Sequence, residues 1–156
     1  MKPKIVLVPL DGSRFAETAL EPAISFAREG ATLRLLRAAE AHPSPLMDQS
    51  EAQVAAVREA EEYLAGVAAW VRHAGVGNVE TSVWYGPAVE AIVDAARYCK
   101  ADLIVMCSHG RSGLERLVLG SVAERVVRAT STPILLVRPD TPAWLKDDAG
   151  RDAAHV

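Results

Sequence analysis

The sequence predicts an α/β domain built on a doubly wound, five-stranded parallel sheet in strand order 3-2-1-4-5, with helices on both faces. Three observations lead there. Five short apolar runs, at 4–10, 32–38, 78–84, 102–106 and 133–138, alternate with helical patterns along the chain. That alternation calls for right-handed crossovers and parallel strands. The first run, KIVLVPL, is apolar almost throughout, as a strand covered on both faces should be. The two strand ends with unusual loops are the first, at Pro9–Ser13, and the fourth, at Met106–Gly113. The order 3-2-1-4-5 makes those strands neighbours at the reversal of winding, where sheets of this kind bind ligands.

Each element carries its own signal. Asp11-Gly12-Ser13 ends the first strand, and Ser13 is placed to cap a helix running to Glu29. Gly30 closes that helix, and TLRLLRA at 32–38 is the second strand. The stretch HPSPLMDQS at 42–50 has two prolines and little periodicity, so it reads as a surface loop. Ser50-Glu51-Ala52-Gln53 has the capping-box pattern. Beyond it Val54, Val57, Glu61, Leu64, Val67, Ala68 and Val71 trace a helical stripe that Gly75 stops. NVETSVW at 78–84 is the third strand, and Gly86-Pro87 places a proline at a first helical position. Val89, Ile92, Val93 and Ala96 form the apolar face of that helix. Asp102–Met106 is the fourth strand, 121–130 the last helix, and PILLVR at 133–138 the fifth strand. The domain is expected to span 1–139, leaving 140–156 as a polar tail in which Trp144 and Leu145 are the apolar pair.

Composition narrows the function classes. At 156 residues, half of them apolar and 24% charged, the chain has the make-up of one ordinary globular domain. Its net charge of −3, without a sustained basic block, excludes an expectation of nucleic-acid or anionic-membrane binding. No apolar run approaches the roughly 20 residues needed to span a bilayer. The first residues, MKPKIVLVPLDGS, are too short in their apolar part for a signal peptide. The expected compartment is the cytoplasm. Cys99 and Cys107 make neither a disulfide framework nor a zinc-ligand spacing, and His42, His73 and His155 are isolated.

The chemistry concentrates in LIVMCSHGRSGLERLVLGSVAE, residues 103–124, where a strand gives way to a loop with glycines at 110, 113 and 120 and then to a helix. Such a loop offers bare backbone N–H groups to an anion. Gly110 lets the chain turn where a β-carbon would obstruct a ligand. Gly120-Ser121 opens the last helix, so the N–H groups of Ser121, Val122 and Ala123 are expected at the crevice, with the helix dipole favouring negative charge. Ser121-Val122-Ala123-Glu124 is equally a capping box, in which Ser121 would satisfy the helix end instead. Asp11 at its strand end is suited to a ribose or a divalent cation, or to the Asp-Gly-Ser turn itself. His109 is placed to touch a phosphate, and Arg111 and Arg116 to screen its charge, or all three are solvated loop residues. No GxxxxGK[ST] loop, strand-borne GxGxxG or Gly-x-Ser-x-Gly elbow occurs, which disfavours P-loop nucleotidases, dinucleotide oxidoreductases and serine hydrolases.

The chain resembles a universal stress protein from Lys4 to Pro139. VPLDGS is similar to that family's opening signature, GPAVEAIVDAARYCKADLIVM to its third helix and fourth strand, and GRSGLERLVLGSVAERVVRATSTPILLVRP to its carboxyl-terminal half. The family's ATP-binding branch has a phosphate loop of glycine, two residues, glycine, nine residues, then glycine with serine or threonine. Here Gly110, nine residues and Gly120-Ser121 match it, while Cys107 stands in place of the first glycine. The resemblance implies that Pro9, Leu10 and Asp11 approach the adenine and ribose and that Ala38 sits beside the adenine. It places Met106 against the nucleoside, Cys107 in the loop, and Gly110, Gly120, Ser121 and Val122 on the phosphates. It implies an ATP-binding stress sensor or regulator, with magnesium or manganese accompanying the nucleotide. Turnover would be at most slow ATP hydrolysis or self-phosphorylation. A homodimer through residues 133–138 is implied as well, and the apolar edge PILLV argues for it independently. The alternative within the family is a dimeric interaction protein that does not bind ATP.

Overall fold

The computed structural model of the protein describes residues 2–109 and 119–139. In chain order the elements are β1 (Ile5–Leu10), α1 (Arg14–Glu17), α2 (Leu20–Arg28), β2 (Thr32–Ala39) and α3 (Gln49–His73). They continue with β3 (Val79–Tyr85), α4 (Ala88–Tyr98), β4 (Leu103–Cys107), α5 (Ser121–Ala129) and β5 (Ile134–Val137). The five strands form one parallel sheet in the order β3-β2-β1-β4-β5, the predicted fold.

Strand alternation divides the core in two. Val6, Val8 and Leu10 of β1 join Leu33 and Leu35 of β2 beneath α2 and α3, where Ala23, Ile24, Leu64, Ala68 and Val71 meet them. Leu7, one residue out of phase, turns to the other face with Leu36, Ile104 and Met106, against Val89, Ile92 and Ala96 of α4 and Ala123 and Val126 of α5. A continuous apolar run thus serves both layers, as a central parallel strand must. At the amino-terminal rim Asp102 stitches β1 to β4: its carboxylate accepts hydrogen bonds from the N–H groups of Lys4 (2.8 Å) and Ile5 (2.9 Å).

Two elements depart from expectation. The helix expected from Ser13 to Glu29 is two helices, because Pro22 has no N–H and its ring would collide with the Thr18 carbonyl of a continuous helix. Restarting at Ala19 puts Pro22 in the first turn of α2, where no N–H is needed. The second departure is at α3, whose N-cap is Asp48, two residues before the expected Ser50. Asp48 accepts from the Glu51 N–H at 2.8 Å, and the Glu51 carboxylate accepts from the Asp48 N–H at 3.4 Å. That is a complete capping box, and Ser50 lies inside the helix. The early start carries the first turns of α3 past the sheet. Val54 there is 59% exposed, whereas Ala60, Leu64, Ala68 and Val71 are buried.

Strand boundaries shift by one residue, and β4 takes in Cys107. Among the described residues, no helix is long and apolar enough to cross a membrane. Residues 140–156, the expected tail, lie outside the described residues.

Candidate functional site

The site forms where the winding reverses. After β1, the Asp11 carboxylate accepts from the Ser13 N–H at 2.8 Å, and the Ser13 hydroxyl oxygen accepts from the Ala16 N–H at 3.2 Å, capping α1. Gly12 between them has φ +85, a conformation L side chains avoid. After β4, Ser108 continues the ladder by donating its N–H to the Val137 carbonyl at 2.9 Å, and its own carbonyl accepts from the Gly120 N–H at 2.7 Å. That bond fixes the start of α5 against the end of β4.

Gly120 occupies the N-cap of α5, with φ −59 and ψ 153, and no side chain caps the helix. Ser121 is therefore the first helical residue, and the capping box read into Ser121–Glu124 is not formed. The first-turn N–H groups of Ser121, Val122 and Ala123 have no acceptor within the helix, as at every helix start.

Between these turns opens a crevice of about 750 Å³. Nine of the ten residues singled out in the sequence line it: Pro9, Leu10, Asp11, Ala38, Met106, Cys107, Gly120, Ser121 and Val122. The tenth, Gly110, lies outside the described residues, as do Arg111, Gly113 and Arg116. Cys107 is buried and sits in regular strand pairing with Val137. Among the described residues the one non-glycine with positive φ is Lys100. The backbone at Cys107 consequently imposes no requirement for glycine.

Other lining residues were not anticipated. Ala52, Ala55, Ala56 and Glu59 present one face of α3 to the crevice, at the i, i+3, i+4, i+7 spacing of a single helix face. The more apolar valines drew attention to a different stripe. Arg37 and His42 also line the crevice. Arg37 had a visible signal, since a cation deep in TLRLLRA is out of place in a buried strand. His109 lines the crevice too; its Nδ1 is 2.8 Å from the Ser108 hydroxyl, and its buried Nε2 has no hydrogen-bond partner.

The charged groups are unevenly placed. Asp11, Glu40 and Glu59 face Arg37 across the crevice lining. Arg37 pairs with Glu59 at 3.2 Å and lies 4.8 Å from the centre of the Tyr63 ring. Burial, and then the hydrogen bond that the Tyr63 hydroxyl donates to Glu17 at 2.8 Å, hold the Tyr63 proton well above the ordinary phenol range. Among the described residues no group of three or more metal-ligating side chains is assembled. Chemically, the crevice combines an apolar floor, small residues on one wall, a strand-end carboxylate and a helix amino terminus. That combination suits a flat apolar ring joined to an anion.

Comparison with known proteins agrees in extent and kind. The model of the universal stress protein family matches residues 2–138. A universal stress protein of Methanocaldococcus jannaschii is 34% identical over 140 residues, covering 86% of this chain and 82% of that protein. The solved structure of the universal stress protein UspA from Lactobacillus plantarum superposes with a TM-score of 0.75 at 26% identity, covering 88% of this chain and 99% of that one. A universal stress protein solved in complex with cAMP superposes with a TM-score of 0.60 at 27% identity, covering 90% of this chain and all of that one. With a family match over almost the whole described fold and the same sheet order beneath it, this chain belongs to the universal stress protein family.

Proposed function

We propose that the protein binds ATP, or a closely related adenine nucleotide, as a cytoplasmic stress sensor or regulator rather than as a turnover catalyst. The observation that carries this reading is the convergence of two distant loops, after β1 and after β4, on one crevice. Pro9, Leu10 and Ala38 would receive the base, Asp11 the ribose, and Met106 the nucleoside face. The α5 start at Gly120, Ser121 and Val122, with Gly110, would take the phosphates. A relative that binds cAMP supports an adenine ligand in this fold.

The strand geometry of Cys107 supports the reading further, because a β-carbon there carries no conformational penalty. With Asp11, Glu40 and Glu59 in the lining, a divalent cation, magnesium or manganese, would offset repulsion of the phosphates. The protein would act as a homodimer through residues 133–138, so that nucleotide level biases the surface around α5.

The test is direct. Protein purified without added nucleotide is denatured and its supernatant examined by mass spectrometry, then the protein is melted with ATP and magnesium. A ligand at about 100 times its dissociation constant adds roughly 2.7 kcal/mol of stability. Absence of both a carried-through nucleotide and a thermal shift at about millimolar ATP overturns the reading. Gly120→Val should abolish binding. Its φ and ψ suit any residue, so the loss would come from crowding of the crevice rather than from misfolding.

A further inference from the structure

Arg37 is the one charged residue that is buried among the described residues, at 8% exposure. A guanidinium removed from water needs strong compensation. Its ion-pair partner supplies little: the contact with Glu59 is a single one at 3.2 Å, and the Glu59 side chain is 74% exposed. The charge is nevertheless held in place. Tyr63 lies 4.8 Å away with its ring under the guanidinium, and Tyr63 is itself anchored to Glu17. A β-carbon built on Gly12 would come within 2.7 Å of a guanidinium nitrogen, so the turn after β1 closes directly over it.

Arg37 and Glu59 also line a second cavity, of about 540 Å³, bounded by Gly12, Ser13, Arg14 and Tyr63. Its charged lining residues are Arg14, Arg37 and Glu59. The two cavities share Arg37 and Glu59, and no residue of α5 lines the second one. In the nucleotide reading, on which this inference rests, the 5′ chain runs toward α5 and the ribose toward Asp11. A substituent on the 2′ or 3′ oxygen of the ribose would then face Arg37.

We propose that the second cavity is an anion subsite for a phosphate group carried on the ribose of an adenine nucleotide, with Arg37 as its recognition residue and Arg14 at its mouth. A planar guanidinium preset by stacking suits a phosphate, which it can grip by two parallel hydrogen bonds. Glu59 competes with that phosphate for the same group.

Isothermal titration of the full chain with AMP, adenosine 2′,5′-bisphosphate and adenosine 3′,5′-bisphosphate tests this. One bisphosphate should bind about tenfold more tightly than AMP. Arg37→Gln should erase that preference, Arg37→Lys should keep part of it, and Glu59→Gln should enlarge it. The opposite signs at positions 37 and 59 separate recognition from a general loss of structure. Equal affinity for AMP and both bisphosphates, or a preference that survives Arg37→Gln, overturns the proposal. If none of the three binds, a melt with inorganic phosphate decides the subsite alone, and the nucleotide reading stands or falls on its own melt with ATP. A stabilisation lost in Arg37→Gln upholds it, and no stabilisation overturns it.

Discussion

Single residues set both the strength and the selectivity of this molecule. Cys107 lines the crevice in regular strand conformation, so on the proposed ATP reading the bulk of its thiol, not its backbone, is what a nucleotide would meet. Cys107→Gly is expected to tighten ATP binding, read by titration, while lowering stability by about 0.5–1 kcal/mol because glycine is costly in a strand. Unchanged affinity would mean that the thiol does not crowd the nucleotide. Tyr63→Phe removes the hydrogen bond to Glu17 and should cost about 1 kcal/mol in urea denaturation. At the opposite rim, hydrogen bonds from the Ile5 and then the Lys4 N–H hold the Asp102 carboxyl below its ordinary range. The ionised form is therefore favoured by folding. Its contribution is complete above the ordinary carboxylate value and is lost as pH falls through the lowered one. Asp102→Asn should flatten the stability profile below about pH 4; superimposable profiles would refute that role.

The elements show which local signals prevailed. Two capping boxes were available at the start of α3, and the one formed is Asp48 with Glu51. Asp48→Ala should destabilise by about 1 kcal/mol, and Ser50→Ala should stay within about 0.5 kcal/mol in the same denaturation series. The reverse order of effects would restore the later start. Within this helix Ala52, Ala55, Ala56 and Glu59 line the crevice. Helix α2 teaches a related lesson. Ser13 does cap a helix, but only one of four residues, because Pro22 permits no continuous run. Both misreadings come from weighing a local signal without the rival a few residues away.

At the scale of the whole molecule, the sheet leaves β5 paired on one side only, with β4. Leu135 there is 38% exposed. An apolar edge of this kind invites pairing with a second copy. Sedimentation at about micromolar concentration, where specific dimers persist, should show a dimer that Leu135→Lys converts to monomer. A monomer in the unsubstituted protein would remove the proposed assembly. Nucleotide affinity should survive that substitution, because no residue of β5 lines the crevice.

Strand order and the strand-end loops that flank the crevice were legible in the sequence for physical reasons. Parallel strands buried on both faces write continuous apolar runs, handedness of crossovers limits their order, and a helix start that can receive an anion must be glycine-rich and bare. Pro9–Asp11 and Gly120–Val122 could be named on those grounds, before any packing was known. Arg37 showed only as a cation out of place in a buried strand, and Glu59 and the alanine face of α3 left no such sign. They are brought to the crevice by the register of β2 against β1, where Arg37 pairs with Leu10, and by the length of α3 beyond the sheet. Such placements depend on contacts between segments far apart in the chain, and nothing local encodes them. The sequence by itself determined the fold and the two strand ends that meet at its crevice; only the tertiary structure decided which charges stand around that crevice.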